Sequence, residues 1–388
     1  MTVRARRDCL NRGYPTNLFL SGSFRANAIG LSMSISLQLD VGQTPGVQAE
    51  RRAAGAIPFV RANALTPFFR FLNELGAPVD RFCQQARMPR SHRQEPEALL
   101  PVFSCYRFIE LAARQEKLED MGVLVGQRAS SFDLGAYGAA LRGTSSVFEY
   151  LQIGVNLIGG HSSGTRLWLA PEADALRVNQ YLIGPHSMGR CLGDLYTLVL
   201  TINTLRQLFG PTWSPGEIRL MAGTESFLGD RAVFRDAPLI TGQRCTSFTV
   251  SRSLAQTLIH HPCRNTAPEQ STRSGESPPI PADFRSSAER LILSLLSDGY
   301  SGIQTAAEAA GMSPRTLQRR LSKAGVTYAE VLTASRLRFA KEWLTTSDMP
   351  ITEMSSALGY TAASNFARAF RRQTGLSPVA YRRLRGQV

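Results

Sequence analysis

Ile303-Gln304-Thr305-Ala306-Ala307-Glu308-Ala309-Ala310, then Gly311-Met312-Ser313, then Pro314-Arg315-Thr316-Leu317-Gln318-Arg319-Arg320-Leu321, decides the fold of the last quarter of the chain. A short Ala-rich helix reaches a glycine, which accepts positive φ at no steric cost. Ser313 can cap the helix that follows, and Pro314 fits its first position, where a missing N–H costs nothing. The pattern recurs as Ile351-Thr352-Glu353-Met354-Ser355-Ser356-Ala357-Leu358, Gly359-Tyr360-Thr361 and Ala362-Ala363-Ser364-Asn365-Phe366-Ala367-Arg368-Ala369-Phe370. Each copy is the sequence form of a helix-turn-helix.

The second helix of each copy has two faces. Leu317 and Leu321 lie four apart and share one side, as do Phe366 and Phe370. Arg315, Gln318, Arg319 and Ser322 fall opposite the leucines; Ala363, Ser364, Ala367, Arg368 and Arg371 fall opposite the phenylalanines. Arg forks onto guanine O6 and N7, and Gln onto adenine N6 and N7, so these faces carry major-groove chemistry. A charged face on a single helix is ordinarily just solvated; two such faces in the same turn context within a basic segment favour DNA. Between the copies, Tyr328 to about Leu344 has no internal Gly or Pro and reads as one helix of roughly 25 Å. Such a spacer can hold two reading helices for successive major grooves, roughly 34 Å apart, within one chain.

Gly311 to Leu321, Ser364 to Arg372, Gly375-Leu376-Ser377-Pro378 and Tyr381-Arg382 together resemble the DNA-binding domain of the AraC/XylS family of bacterial transcriptional regulators. The resemblance covers about the last hundred residues, with Ser355 where the family usually has Ala. It implies that Arg315, Gln318, Arg319, Ser364 and Arg368 contact bases. Lys323, Arg371 and Arg372 are expected on phosphates, which set register without carrying sequence information.

Charge is spread unevenly. The chain of 388 residues carries a net +14, and residues from 284 onward hold 15 Lys and Arg against 7 Asp and Glu. Residues 1–54 have 7 against 3, and the middle 22 against 20. A basic C-terminus beside a near-neutral middle places nucleic-acid binding at the C-terminus. The six cysteines form no C-x-x-C pair and read as free thiols of a reducing cytoplasm. No apolar run approaches the roughly 20 residues of a membrane span, so no membrane partner is expected.

Residues 1–54 read as a disordered extension and 261–283, rich in Pro, Ser and Thr, as a linker. Residues 55–260 alternate helical and strand patterns. Helices are expected at Thr66–Leu75, Val79–Arg87, Val102–Glu116, Asp120–Arg128, Ser146–Ile158 and Ser187–Phe209, and Ser253 to about His260 closes the domain. Arg166–Leu169 and Leu176–Tyr181 form an expected hairpin, with further strands at Glu217–Met221 and Cys245–Val250. The expectation is an α+β sensor and dimerisation domain followed by an all-α domain, 284–388, with two helix-turn-helix units on a linker helix. The middle is similar to the N-terminal domain of family members of the ornithine-utilisation type, and differs from the cupin-like sensor of the sugar regulators. That similarity implies small-molecule sensing or self-association.

Other chemistry is weaker. Gly160-His161-Ser162-Ser163-Gly164 matches G-x-S-x-G, but a helix precedes and a strand follows, the reverse of a nucleophile elbow. His260, His261 and Cys263 lack a fourth metal ligand. No catalytic residue, metal or cofactor is expected. Arg166, Trp168, His186 and Arg190 are candidate effector contacts. The reading is a cytoplasmic, ligand-responsive activator whose partners are double-stranded promoter DNA, RNA polymerase, a small-molecule effector and a second copy in a homodimer. Two rivals stay open: a constitutive DNA-binding protein whose middle only dimerises, and an enzyme fused to a DNA-binding domain. The enzyme would need an activated thiol, for which Cys245 beside Arg244 comes nearest.

Overall fold

The computed structural model describes residues 55–89, 95–229, 231–234, 237–259, 279–296 and 298–385. The expected N-terminal extension and residues 261–278 of the expected linker lie outside them. Strand β1 (Phe59–Arg61) leads into helices α1 (Thr66–Glu74) and α2 (Val79–Gln85). Strand β2 (Leu99–Pro101) then returns antiparallel to β1, with Phe59 opposite Pro101. Helices α3 (Val102–Glu116), α4 (Met121–Gly126), α5 (Gly135–Arg142) and α6 (Val147–His161) follow. Next come β3 (Thr165–Pro171), β4 (Ala175–Leu182), α7 (Met188–Phe209), β5 (Ile218–Met221), β6 (Leu239–Gln243), β7 (Thr246–Ser251) and α8 (Arg252–Ala255).

The larger sheet has five strands in the order β3-β4-β7-β5-β6, antiparallel except for the β5–β6 pair. The hairpin expected from alternation is present, with Thr165 paired to Leu182 and Pro171 to Leu176. Helix α7 organises both cores of this region. Ser187 caps it by accepting from the Arg190 N–H, and Gly210 ends it. Leu192, Tyr196 and Leu200 pack with α1 and α3, while Leu195, Leu198 and Ile202 pack toward the sheet. A helix apolar on all sides must be central, because each face needs cover from water. Asp194, on this helix, is fully buried and accepts hydrogen bonds from Gln180 and Thr246, which tie helix to sheet. Burial raises its carboxyl pKa to about 6.

The remainder is helical: α9 (Phe284–Leu296), α10 (Ile303–Ala309), α11 (Pro314–Lys323), α12 (Tyr328–Thr346), α13 (Ile351–Ala357), α14 (Ala363–Thr374) and α15 (Pro378–Arg385). Leu291, Leu295, Leu317 and Leu321 form the core of the first helix-turn-helix unit; Met354, Leu358, Phe366 and Phe370 form that of the second. Strands β1, β2 and β6 and helices α5 and α15 escaped the sequence reading. Strands β1 and β2 are three residues each, too short for a period to register. Helix α5 is a Gly/Ala run with little amphipathic contrast, and β6 is an exposed edge strand. In the closing stretch, helix α8 ends at Ala255, and beyond it Leu258 bridges to Ser146.

Candidate nucleic-acid interface and ligand cavity

In the first unit Ser313 accepts from the Thr316 N–H and Pro314 opens α11, as the sequence predicts. Gly311 has φ +66°, and Gly359 in the second unit +70°. Leu317 and Leu321 are buried, which turns Arg315, Gln318, Arg319 and Lys323 to solvent. In α14, buried Phe366 and Phe370 do the same for Ser364, Arg368, Arg371 and Arg372. Arg368 donates to Asn365 Oδ1 at 2.6 Å and so is held against its own helix. Among the described residues none of these cations forms an ion pair. Exposed guanidinium groups without carboxylate partners have free forks for phosphate or base edges.

Helix α12 spans about 28 Å at 1.5 Å per residue. Its start is a capping box, with Thr327 accepting from the Glu330 N–H while the Glu330 carboxylate accepts from the Thr327 N–H. Midway, Arg336 donates to the carbonyls of Leu358 at 2.8 Å and Gly359 at 2.9 Å and lies over the Tyr360 ring. The spacer helix thereby grips the turn of the second unit.

The first unit is gripped from outside its own domain. Ile57, Phe59 and Leu99 are buried in its core beside Leu291 and Leu317. The Ile57 N–H donates to Ser287 Oγ at 2.9 Å. Glu308 of α10 lies 3.8 Å from Arg87 and 3.7 Å from Arg107. Phe103 covers the turn so closely that a Cβ at Gly311 would overlap its ring. The sequence reading missed these contacts, since nothing local marks a pairing across more than 200 residues.

Behind the same elements lies a cavity of about 110 Å³, lined by Val60, by Val102, Tyr106 and Ile109 of α3, and by Tyr196 and Leu200 of α7, among others. His161 closes one side; burial and then the charge of Arg61 hold its pKa down at about 4, so it is neutral near pH 7. The ring stacks on Tyr137 with centroids 5.0 Å apart. His161 had a sequence signal, the G-x-S-x-G match, but that motif pointed to the wrong chemistry. The structure does not bring Arg166, Trp168, His186 and Arg190 together in this cavity. Strand alternation turns Arg166 and Trp168 away from Thr165 and Leu167, which do line it. His186 is exposed near Cys191, and Arg190 is buried, donating to the Leu182 carbonyl at 2.7 Å. Burial raises the Cys245 thiol, the opposite of activation. His260, His261 and Cys263 lie outside the described residues.

Residues 306–384 match the family model described as a helix-turn-helix domain. Residues 76–258 match the one described as the arabinose-binding domain of AraC transcription regulator, N-terminal. The chain belongs to the AraC family. It is a DNA-binding transcription regulator with an N-terminal ligand-binding domain. The description of that domain names a sugar, whereas the sequence reading set the middle apart from the sugar sensors. This AraC-family chain is 24% identical over 330 residues to the HTH-type transcriptional regulator VirS of Mycobacterium tuberculosis, covering 83% of this chain and 96% of the relative. It is 42% identical over 93 residues to the ornithine utilization regulator of Pseudomonas aeruginosa, covering 24% of this chain and 27% of that one. The crystal structure of the transcriptional regulator CdpR from Pseudomonas aeruginosa aligns at 22% identity over 71% of this chain and 91% of that chain, with a TM-score of 0.29. No helix among the described residues is long and apolar enough to cross a membrane.

Proposed function

We propose that this regulator is a cytoplasmic, ligand-responsive activator that reads two successive major grooves with α11 and α14. The observation that carries the reading is the outward set of unpaired cations on those two helices. Arg315, Gln318, Arg319, Ser364 and Arg368 read bases; Lys323, Arg371 and Arg372 hold phosphates. Residues 55–260 sense the ligand and dimerise, 261–283 link, and 284–388 bind DNA and engage RNA polymerase. The chain acts through binding rather than catalysis.

Ligand response has a physical route. Val60 borders the cavity while its neighbour Phe59 sits in the core of the first unit. Val102 borders the cavity while its neighbour Phe103 covers Gly311. A ligand that favours one placement of β1 and of the α3 N-terminus therefore favours one placement of α11, through a difference in affinity between two states. The test separates the two kinds of contact. Arg319→Ala should cost roughly 1–3 kcal/mol on the preferred site and much less on a site changed at the matching base pair. Arg372→Ala should weaken all sequences alike and lower the salt slope by about one. Titrations at several salt concentrations decide. Equal loss on every sequence for Arg319→Ala would make it a phosphate contact and refute this docking of the first unit.

A further inference from the structure

We propose that the cavity between α3 and α7 takes an uncharged, mainly apolar small molecule about the size of one substituted ring. The proposal rests on the ligand-responsive reading above and gives that ligand a chemical class.

Charge is the first constraint. Among the described residues no Asp, Glu, Lys or Arg lines the cavity, and the imidazole of His161 is neutral there. A carboxylate or ammonium ligand would leave water without a counter-charge in the wall, which is a prohibitive loss. Polyols are excluded by a finer argument, because most of the wall hydroxyls are already engaged by the protein. Tyr137 donates to the Gly154 carbonyl, Thr197 to Gly193 and Thr201 to Thr197. Ser162 and Thr165 bond each other at 2.9 Å, and Ser131 accepts from Tyr150 at 3.1 Å. The rest of the wall is apolar, with Val60, Phe68, Val102, Ile109, Leu182 and Leu200 contributing. The volume of about 110 Å³ is of the order of the roughly 150 Å³ apolar cavity that holds benzene.

The experiment uses the full chain, with phenol, toluene, benzoate and L-arabinose as probes. Melting temperature reports binding, and fluorescence anisotropy on a DNA fragment selected for binding reports the response. Phenol and toluene should raise the melting temperature, while benzoate and L-arabinose should leave it unchanged. Stabilisation by benzoate or L-arabinose alone would overturn the ligand class and leave the ligand-responsive reading standing. No shift with any probe would overturn the site. A shift with phenol at unchanged DNA affinity would support the site and overturn the ligand-responsive reading instead.

Discussion

In the first helix-turn-helix unit, Gly311 lies under Phe103 of the sensor region, and Glu308 faces two arginines from the same region. In the second, Gly359 lies beside Ser301 and Arg336, both of the DNA-binding region itself. The local sequence rules are the same in both: a short helix, a positive-φ glycine and a capped or exposed start to the next helix. The surroundings are not. Helix α11 takes its position partly from elements that border the cavity between α3 and α7; α14 takes it from the spacer helix. On the function proposed above, a ligand in the cavity would act on one half of the DNA contact and leave the other half's affinity independent of it.

The comparison breaks most visibly at Phe59. It is fully buried between the two regions, so Phe59→Ala should cost about 3–5 kcal/mol in denaturant unfolding. Hydrogen exchange should quicken in α11 and leave α14 nearly unchanged. If protection falls equally in both helices, the two units are held alike and the distinction is lost.

The turn glycines sharpen it. Alanine at either one pays roughly 1–2 kcal/mol for left-handed backbone. Gly311→Ala also drives a methyl into the Phe103 ring, for a further 1–3 kcal/mol or so. At Gly359 the atoms nearest to an added Cβ, Ser301 Oγ and Arg336 Nη2, stand 3.0 and 3.2 Å from it, a tight contact but without the overlap met at Gly311. Gly311→Ala should therefore be the worse of the two, and the gap should close in a Phe103→Ala background. A gap that survives there would mean Phe103 is not what presses on the turn.

The smallest effect concerns a pair at matching positions. Ala307 of the first unit and Ser355 of the second are both buried. Among the described residues Ser355 Oγ has no hydrogen-bond partner. Ser355→Ala should raise stability by about 1 kcal/mol, since it removes an unsatisfied hydroxyl and keeps the volume. An unchanged or lower midpoint would indicate a partner for that hydroxyl.

What could be read in the sequence was what is local. Gly311, Ser313 and Pro314 place a helix boundary within a few residues of one another, and Leu317 and Leu321 then orient α11 without further help. The same holds for Ser187 and Gly210 around α7, and for the β3–β4 alternation. What could not be read is what depends on distant partners. Strand β1 exists because β2 returns to it, and Ile57 is core because Ser287 and Leu291 arrive from the far end of the chain. The cavity belongs to this second kind. Its wall gathers residues from Val60 to Thr201, none of them in a spacing that marks a site, and the polar residues singled out from the hairpin face away from it.

The Phe103–Gly311 contact also bears on how such proteins can be recombined. A chimera that joined this DNA-binding half to an unrelated sensor at the linker would cut no covalent element of either helix-turn-helix. It would nonetheless strip the first unit of Phe59 and Leu99 and bare the flank of α10. The transplantable piece is therefore not a continuous segment. It is the C-terminal helical domain together with the short β1–β2 ribbon and the opening turn of α3, and a graft that leaves those behind carries over one helix-turn-helix with its packing whole and another missing its lid.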